Sequence, residues 1–220
     1  MRALVIGASG GIGGAVAAAL EDRGAEVVRR SRSADGLDLT DAESVERVLG
    51  GIEGDFDLVF LATGALEIDG RGPEKALAQI DADGLRAQFD LNAIGPALVM
   101  RHLPALLPRD RPATFAALSA RVGSIGDNRL GGWYGYRAAK AALNQLIHTA
   151  AIEIARSHRQ ACVVALHPGT VATDFTRKYL GRHPAVPPET AAENLLRVID
   201  GLGPGDTGGF FDWAGKAVAW

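Results

Sequence analysis

The first thirty residues restrict most strongly what this chain can fold into. Four apolar residues, Ala3-Leu4-Val5-Ile6, run straight into Gly7-Ala8-Ser9-Gly10-Gly11-Ile12-Gly13-Gly14, and an alanine-rich stretch from Ala15 to Arg23 follows. Gly24 closes that stretch, and Glu26-Val27-Val28 begins another apolar run. Strand, glycine turn, helix and strand in this order make a βαβ unit. Glycines at the first strand–helix junction permit positive φ and let the backbone approach a ligand closely. The helix that starts there offers unpaired N–H groups and the positive end of its dipole to a pyrophosphate. The same glycines argue against a secretory signal, whose apolar core they would break. Two spacings fit the cluster: Gly7, Gly11 and Gly13 as G-x-x-x-G-x-G, or Gly7, Gly10 and Gly13 as G-x-x-G-x-x-G.

The rest of the chain alternates in the same way. Strands are predicted at Asp57–Ala62, Ala113–Leu118, Ala161–Leu166 and Gly208–Trp213. Helices are predicted at Leu85–Leu107, interrupted at Pro96 and Pro104, at Tyr136–Ser157 and at Glu189–Gly201. This pattern predicts an α/β fold: a Rossmann-type, doubly wound parallel sheet in three layers, with residues 1–220 forming a single domain. The loops Gly64–Gln79 and Thr173–Pro188 are expected to wall the substrate, since loops beyond the carboxyl ends of such strands carry function.

Composition removes other classes. A net charge of −3 gives no basic field for nucleic acid. Five scattered histidines and one cysteine lack zinc spacing, so no metal is expected. No apolar run reaches the roughly 20 residues of a membrane span. Cys162 has no partner for an internal disulfide, which points to a reducing, cytoplasmic setting.

Chemistry enters with Tyr136-Arg137-Ala138-Ala139-Lys140. Four apart on a helix, the tyrosine and lysine share a face. A free phenol titrates near pH ~10, too high for proton transfer at neutral pH, and a neighbouring ammonium lowers that value. Tyr136 is therefore expected to act as acid and base, tuned by Lys140.

Gly7–x₃–Gly11–x–Gly13, Asn92, a serine before the active helix, Tyr136–x₃–Lys140 and Pro168-Gly169 occur in one order. In this the chain resembles the short-chain dehydrogenase/reductase family of the compact single-domain kind, over nearly its whole length. Arg121-Val122-Gly123-Ser124 and Gly132-Trp133-Tyr134 further resemble its C-factor-like subgroup. The resemblance selects the first glycine spacing and implies an NAD(P)H-dependent oxidoreductase of a small carbonyl or alcohol. It implies that Ser9, Gly11, Ile12 and Gly13 hold the pyrophosphate and adjoining ribose, and that Asp38 and Leu39 border the adenine. Lys140 would also bind the nicotinamide ribose, and Asn92 would anchor a kinked helix and a proton-relaying water. Pro168, Gly169, Val171 and Thr173 would lie beside the nicotinamide, the last two on its carboxamide. It also implies a homodimer or homotetramer built through the long helices.

An acidic residue at the end of the second strand would bind the adenosine ribose and repel a 2′-phosphate. Ser31 stands in that place, followed by Arg32, with no acid until Asp35, so NADP(H) is expected over NAD(H).

The chain departs from the family twice. The usual Ser-Ser pair reads Ser119-Ala120, so the hydroxyl must come from Ser119, the nominal match, or from its rival Ser124. The usual Asn-Asn-Ala-Gly reads Leu61-Ala62-Thr63-Gly64: Gly64 still lets the cofactor approach, and Thr63 replaces some of the asparagine's hydrogen bonds. These gaps sustain an alternative, a nucleotide-binding signalling or sensing module with little catalysis. A sugar epimerase is disfavoured because about 80 residues after Lys140 leave no room for a sugar-binding lobe. The aromatic end, Phe210, Phe211, Trp213 and Trp220, is expected either to seal the pocket, to meet a neighbouring subunit or to pack in the core.

Overall fold

The computed structural model describes residues 1–173, 176 and 185–220. In chain order the elements are β1 (Arg2–Ile6), α1 (Gly11–Asp22), β2 (Glu26–Arg30), α2 (Arg32–Asp35), α3 (Ala42–Leu49) and β3 (Leu58–Leu61). Then come α4 (Ala82–Phe89), α5 (Gly95–Met100), α6 (Leu103–Leu106), β4 (Ala113–Leu118), α7 (Tyr134–Ile154), β5 (Ala161–His167), α8 (Pro188–Asp200) and β6 (Phe210–Asp212). The strands form one all-parallel sheet in the order β2-β1-β3-β4-β5-β6. The order reverses between β1 and β3, and the crevice beyond the strand ends there is where such sheets bind ligands.

Both faces of the sheet are covered, which is why the inner strands are near-continuous apolar runs. Under α3 to α7 lies one core, built on Leu4, Ile6, Val59, Phe115 and Val163 with Leu143 and Ile147 of α7. Under α1 and α8 lies the other, with Val5, Phe60, Val164, Val16, Leu20 and Leu195. The Rossmann-type three-layer architecture is as expected.

The glycine turn has a steric cause. Gly7 has φ +88°, and a Cβ on it would meet the Ala62 carbonyl oxygen at 2.6 Å. Gly13 in turn lies against the Gly7 carbonyl, leaving no room for a side chain. β1, the turn and α1 can therefore close together only with glycine at both positions.

The predicted helix over 85–107 is rebuilt. It begins earlier, at Ala82, where the Asp81 carboxylate accepts the Asp83 and Gly84 N–H groups, both at 3.0 Å. Its break is a wide π-turn at Asp90–Ile94, and Pro96 sits near the start of α5 rather than ending the helix. Pro96 has no N–H, so the Asn92 carbonyl loses the partner a regular helix would supply. α3, whose short amphipathic stripe is bounded by Asp41 and Gly50, was not predicted.

Candidate active site

The carboxyl ends of β1, β3, β4 and β5 surround a cavity of about 550 Å³. Ser9, Gly11 and Ile12 line it from the glycine turn, and Thr63 and Gly64 from the end of β3. Ser119 and Ala120 follow β4, Tyr136 and Lys140 project from α7, and Pro168, Gly169, Val171 and Thr173 follow β5. The expected residues from five separate segments thus meet in one space.

Tyr136 and Lys140 lie one turn apart on α7, 5% and 3% exposed. The Lys140 Nζ donates to the Leu118 carbonyl at 3.0 Å and stands 5.9 Å from the centre of the Tyr136 ring. Burial pushes the phenol above its usual value and brings the ammonium down to about 8. The expectation that Lys140 lowers the Tyr136 pKa is therefore not met. Loss of hydration outweighs a cation at that distance, and the cation is itself desolvated.

Asn92 is fully buried and spends its side chain on the loop after β3. Its Oδ1 accepts the Ala65 N–H at 3.1 Å, and its Nδ2 donates to the Ala65 carbonyl at 2.9 Å and to Gln88 Oε1 at 2.8 Å. Gln88, which the sequence did not single out, donates to the Leu66 carbonyl at 3.0 Å. This i,i+4 pair holds Gly64 in place. With φ +140°, Gly64 leaves space that a Cβ would take, 2.7 Å from Asn92 Oδ1 and 3.3 Å from Lys140 Nζ.

Of the two candidate serines, Ser119 lines the cavity, but its hydroxyl donates to Asn144 Oδ1 at 2.5 Å on α7. Ser124 lies outside the cavity lining. It is buried and its Oγ accepts the Asp127 N–H at 3.0 Å, closing a turn. Of the expected cofactor positions, Gly7 and Gly13 shape the turn from beneath, while Ser31, Arg32, Asp38 and Leu39 stand beyond the cavity. Ser31 caps α2, accepting the Ala34 N–H at 3.2 Å. Asp35 comes back to this point: its Oδ2 accepts the Ser31 N–H at 2.8 Å, and its Oδ1 lies 3.6 Å from Arg30. Asp38 Oδ1 accepts from the Thr40 hydroxyl and N–H, which holds its carboxyl below the usual range. Leu39 is buried against Gly95 of α5.

The aromatic end divides its roles. Phe210 is in the core with Trp220 stacked on it, 5.6 Å between centres, and Trp213 lies against Gly169 at the cavity wall. Leu118 and His167 line the cavity without having been singled out from the sequence, and Gly10, of the second glycine spacing, lines it too; Thr173, Thr176 and Pro188 come from the loop expected to wall the substrate, most of which lies outside the described residues.

A dinucleotide fits these residues. α1 starts with no acidic residue in its first turn and no side-chain cap, leaving its first N–H groups for an anion. The Thr63 Oγ1 is buried in the lining with no hydrogen-bond partner among the described residues, so it does not replace the asparagine's hydrogen bonds as expected, and it is placed as a group awaiting a ligand would be. The model for short chain dehydrogenases matches residues 1–182. The chain belongs to the short-chain dehydrogenase family. Members of this family are NAD(P)-dependent oxidoreductases, and that is the activity class of this one.

Within the family, the chain is 33% identical over 234 residues to 1-hydroxy-2-glutathionyl-2-methyl-3-butene dehydrogenase of Rhodococcus sp. (strain AD45), covering 99% of this chain and 98% of that one. It is 36% identical over 148 residues to C-signal of Myxococcus xanthus, covering 66% of this chain and 84% of the relative. A short-chain dehydrogenase/reductase from Burkholderia multivorans with bound NADP superposes with a TM-score of 0.82 at 27% identity, over 100% of this chain and 99% of that one. A C-factor-like relationship is thus present. Among the described residues no group of side chains is arranged to hold a metal ion, and no helix is long and apolar enough to cross a membrane.

Proposed function

We propose that this short-chain dehydrogenase reduces a carbonyl compound with NADPH, Tyr136 being the proton donor and Lys140 its partner. The observation that carries the reading is the burial of both side chains in the cavity that Gly11, Thr63 and Gly64 also line. A bound nicotinamide supplies the hydride. The chain's own residues do the rest. Tyr136, which burial keeps protonated, gives its phenolic proton to the carbonyl oxygen as the carbon becomes that of an alcohol. Lys140, anchored on the Leu118 carbonyl, holds a cationic nitrogen beside the phenolate left behind and reaches the nicotinamide ribose. Asn92 anchors a water that returns the proton. Ser9, Gly11 and Ile12 bind the pyrophosphate through backbone groups, and Val171 and Thr173 bind the carboxamide.

NADPH is favoured over NADH because Arg32 is exposed beside Ser31, with no carboxylate within ion-pair distance among the described residues. Asp35, the nearby acid, is already engaged with Arg30 and the Ser31 N–H. Equal dissociation constants for the two reduced cofactors would refute this. The Rhodococcus relative is named for a glutathionyl alcohol, so alcohols of that kind, oxidised with NADP⁺, belong among the substrates to try. The π-turn before α5 leaves Ile94 exposed and α7 leaves Ile152 exposed, and through them the protein forms a cytoplasmic homodimer or homotetramer, which light scattering would reveal.

The deciding assay is NADPH oxidation over a carbonyl panel, wild type against Tyr136→Phe. Identical rates in the two proteins overturn the catalytic reading. Ala120, a methyl where the family carries a hydroxyl, favours a second reading, a nucleotide sensor; that reading gains if the substitution weakens NADPH binding alone.

A further inference from the structure

β4 ends without the hydroxyl that should hold a substrate carbonyl against Tyr136. Position 120 is alanine, the Ser119 hydroxyl is committed to Asn144, and Ser124 lies outside the cavity. The neighbouring strand ends with His167. Side chains alternate along β5: Val163 and Ala165 belong to the core under α7, and Val164 and Leu166 to the opposite core. His167 therefore turns its ring to the α7 face, the face of Tyr136 and Lys140. The Ser119 N–H donates to the Leu166 carbonyl at 2.8 Å, so the ends of β4 and β5 lie side by side. His167 lines the same cavity as Ala120, Tyr136 and Lys140.

The imidazole is unfinished. Among the described residues its Nδ1 is sealed from solvent with no hydrogen-bond partner, which leaves Nε2 as the nitrogen that opens on the cavity. Arg121 and the strand-paired Asp212 flank the ring, yet neither bonds to it. Burial is the main influence on its protonation and brings its pKa down to about 4, so the ring is neutral at working pH and carries a single N–H.

We propose that the His167 Nε2–H is the second hydrogen-bond donor to the substrate's carbonyl oxygen, in place of the hydroxyl that Ala120 lacks. The proposal rests on the assignment of Tyr136 as proton donor. No bond breaks at the imidazole: hydride goes to carbon, the Tyr136 proton goes to oxygen, and His167 steadies the developing oxyanion.

The test compares wild type, Tyr136→Phe, His167→Leu, His167→Gln and the double variant His167→Leu/Ala120→Ser, with phenanthrenequinone and p-nitrobenzaldehyde as probes and NADPH as reductant. Removing one such donor costs about 100-fold in kcat, so His167→Leu is expected to lose that much while its NADPH dissociation constant stays put. His167→Gln restores an N–H near the Nε2 position and should recover most of the loss, as should the added serine. A fall below threefold in His167→Leu, with Tyr136→Phe inactive, overturns the role of His167 alone. Equal rates in wild type and Tyr136→Phe overturn the reading beneath it. Should His167→Leu fail to melt cooperatively, His167→Asn carries the same comparison. A second readout needs no turnover. In NADP⁺-saturated protein titrated with p-nitrobenzaldehyde, the His167 ring N–H resonance, identified by its absence in His167→Gln, must shift; an unmoved resonance overturns the proposal.

Discussion

The Glu74 carboxylate caps the helix that carries Tyr136, accepting the Gly135 N–H at 3.1 Å from sixty-one residues upstream. The Glu74 carbonyl accepts the Trp133 N–H as well, so the loop before α4 grips the start of α7 at two points. Trp133 is left-handed, φ +55°, and its ring meets that of Tyr136 edge-on, 6.4 Å between centres. A carboxylate at this end also opposes the helix dipole. Loss of such a cap costs about 1 kcal/mol. Glu74→Ala is therefore expected to lower the midpoint in urea by that amount and to lower kcat more than it changes NADPH affinity. Glu74→Gln should keep most of both. Unchanged stability and rate in Glu74→Ala would remove Glu74 from the positioning of Tyr136.

Lys140 makes stability depend on pH. Its folded pKa lies near 8, against 10.5 as the ordinary value, so in that window the unfolded chain binds more protons than the folded one. Stability contributed by this group therefore rises as pH goes from about 8 to 10.5, and its burial penalty is fully present below 8. Lys140→Met is expected to be inactive, more stable than wild type at neutral pH, and without this rise. Parallel stability curves for the two proteins across that window would contradict it.

Gly64 is closed to any side chain by its φ and by Asn92 and Lys140 on either side. Gly64→Ala should lose on the order of 1–3 kcal/mol of stability and bind NADPH at least tenfold more weakly. Calorimetry and fluorescence titration read the two effects separately.

Arg32→Ala is expected to weaken NADPH binding by about tenfold or more, the scale of a charged hydrogen bond to phosphate, and to leave NADH unchanged. The loss should shrink as salt is raised, because the site is exposed. Parallel weakening of both cofactors would mean that Arg32 supports the fold of α2 instead.

Cys162 is buried in β5, and burial with nearby Asp206 pushes its thiol up to about 12. Native protein should therefore give no reaction with a thiol reagent at pH 8, and one equivalent in denaturant. Rapid labelling of the native state would show that β5 opens far more often than its burial allows.

What could be read from the chain alone was whatever depends on neighbours in sequence. The glycines between Ile6 and Ala15 set a turn, the apolar runs set strands buried on both faces, and the four-residue spacing of Tyr136 and Lys140 sets a shared helix face. These follow from backbone sterics and helical period, which act over a few residues. Tertiary structure decided the rest, because each such feature joins residues far apart. It gave Asn92 to Ala65 and Gln88 to Leu66, and committed the Ser119 hydroxyl to Asn144. It also reversed the expected effect on Tyr136, since desolvation depends on everything packed around the phenol and has no signature in local sequence.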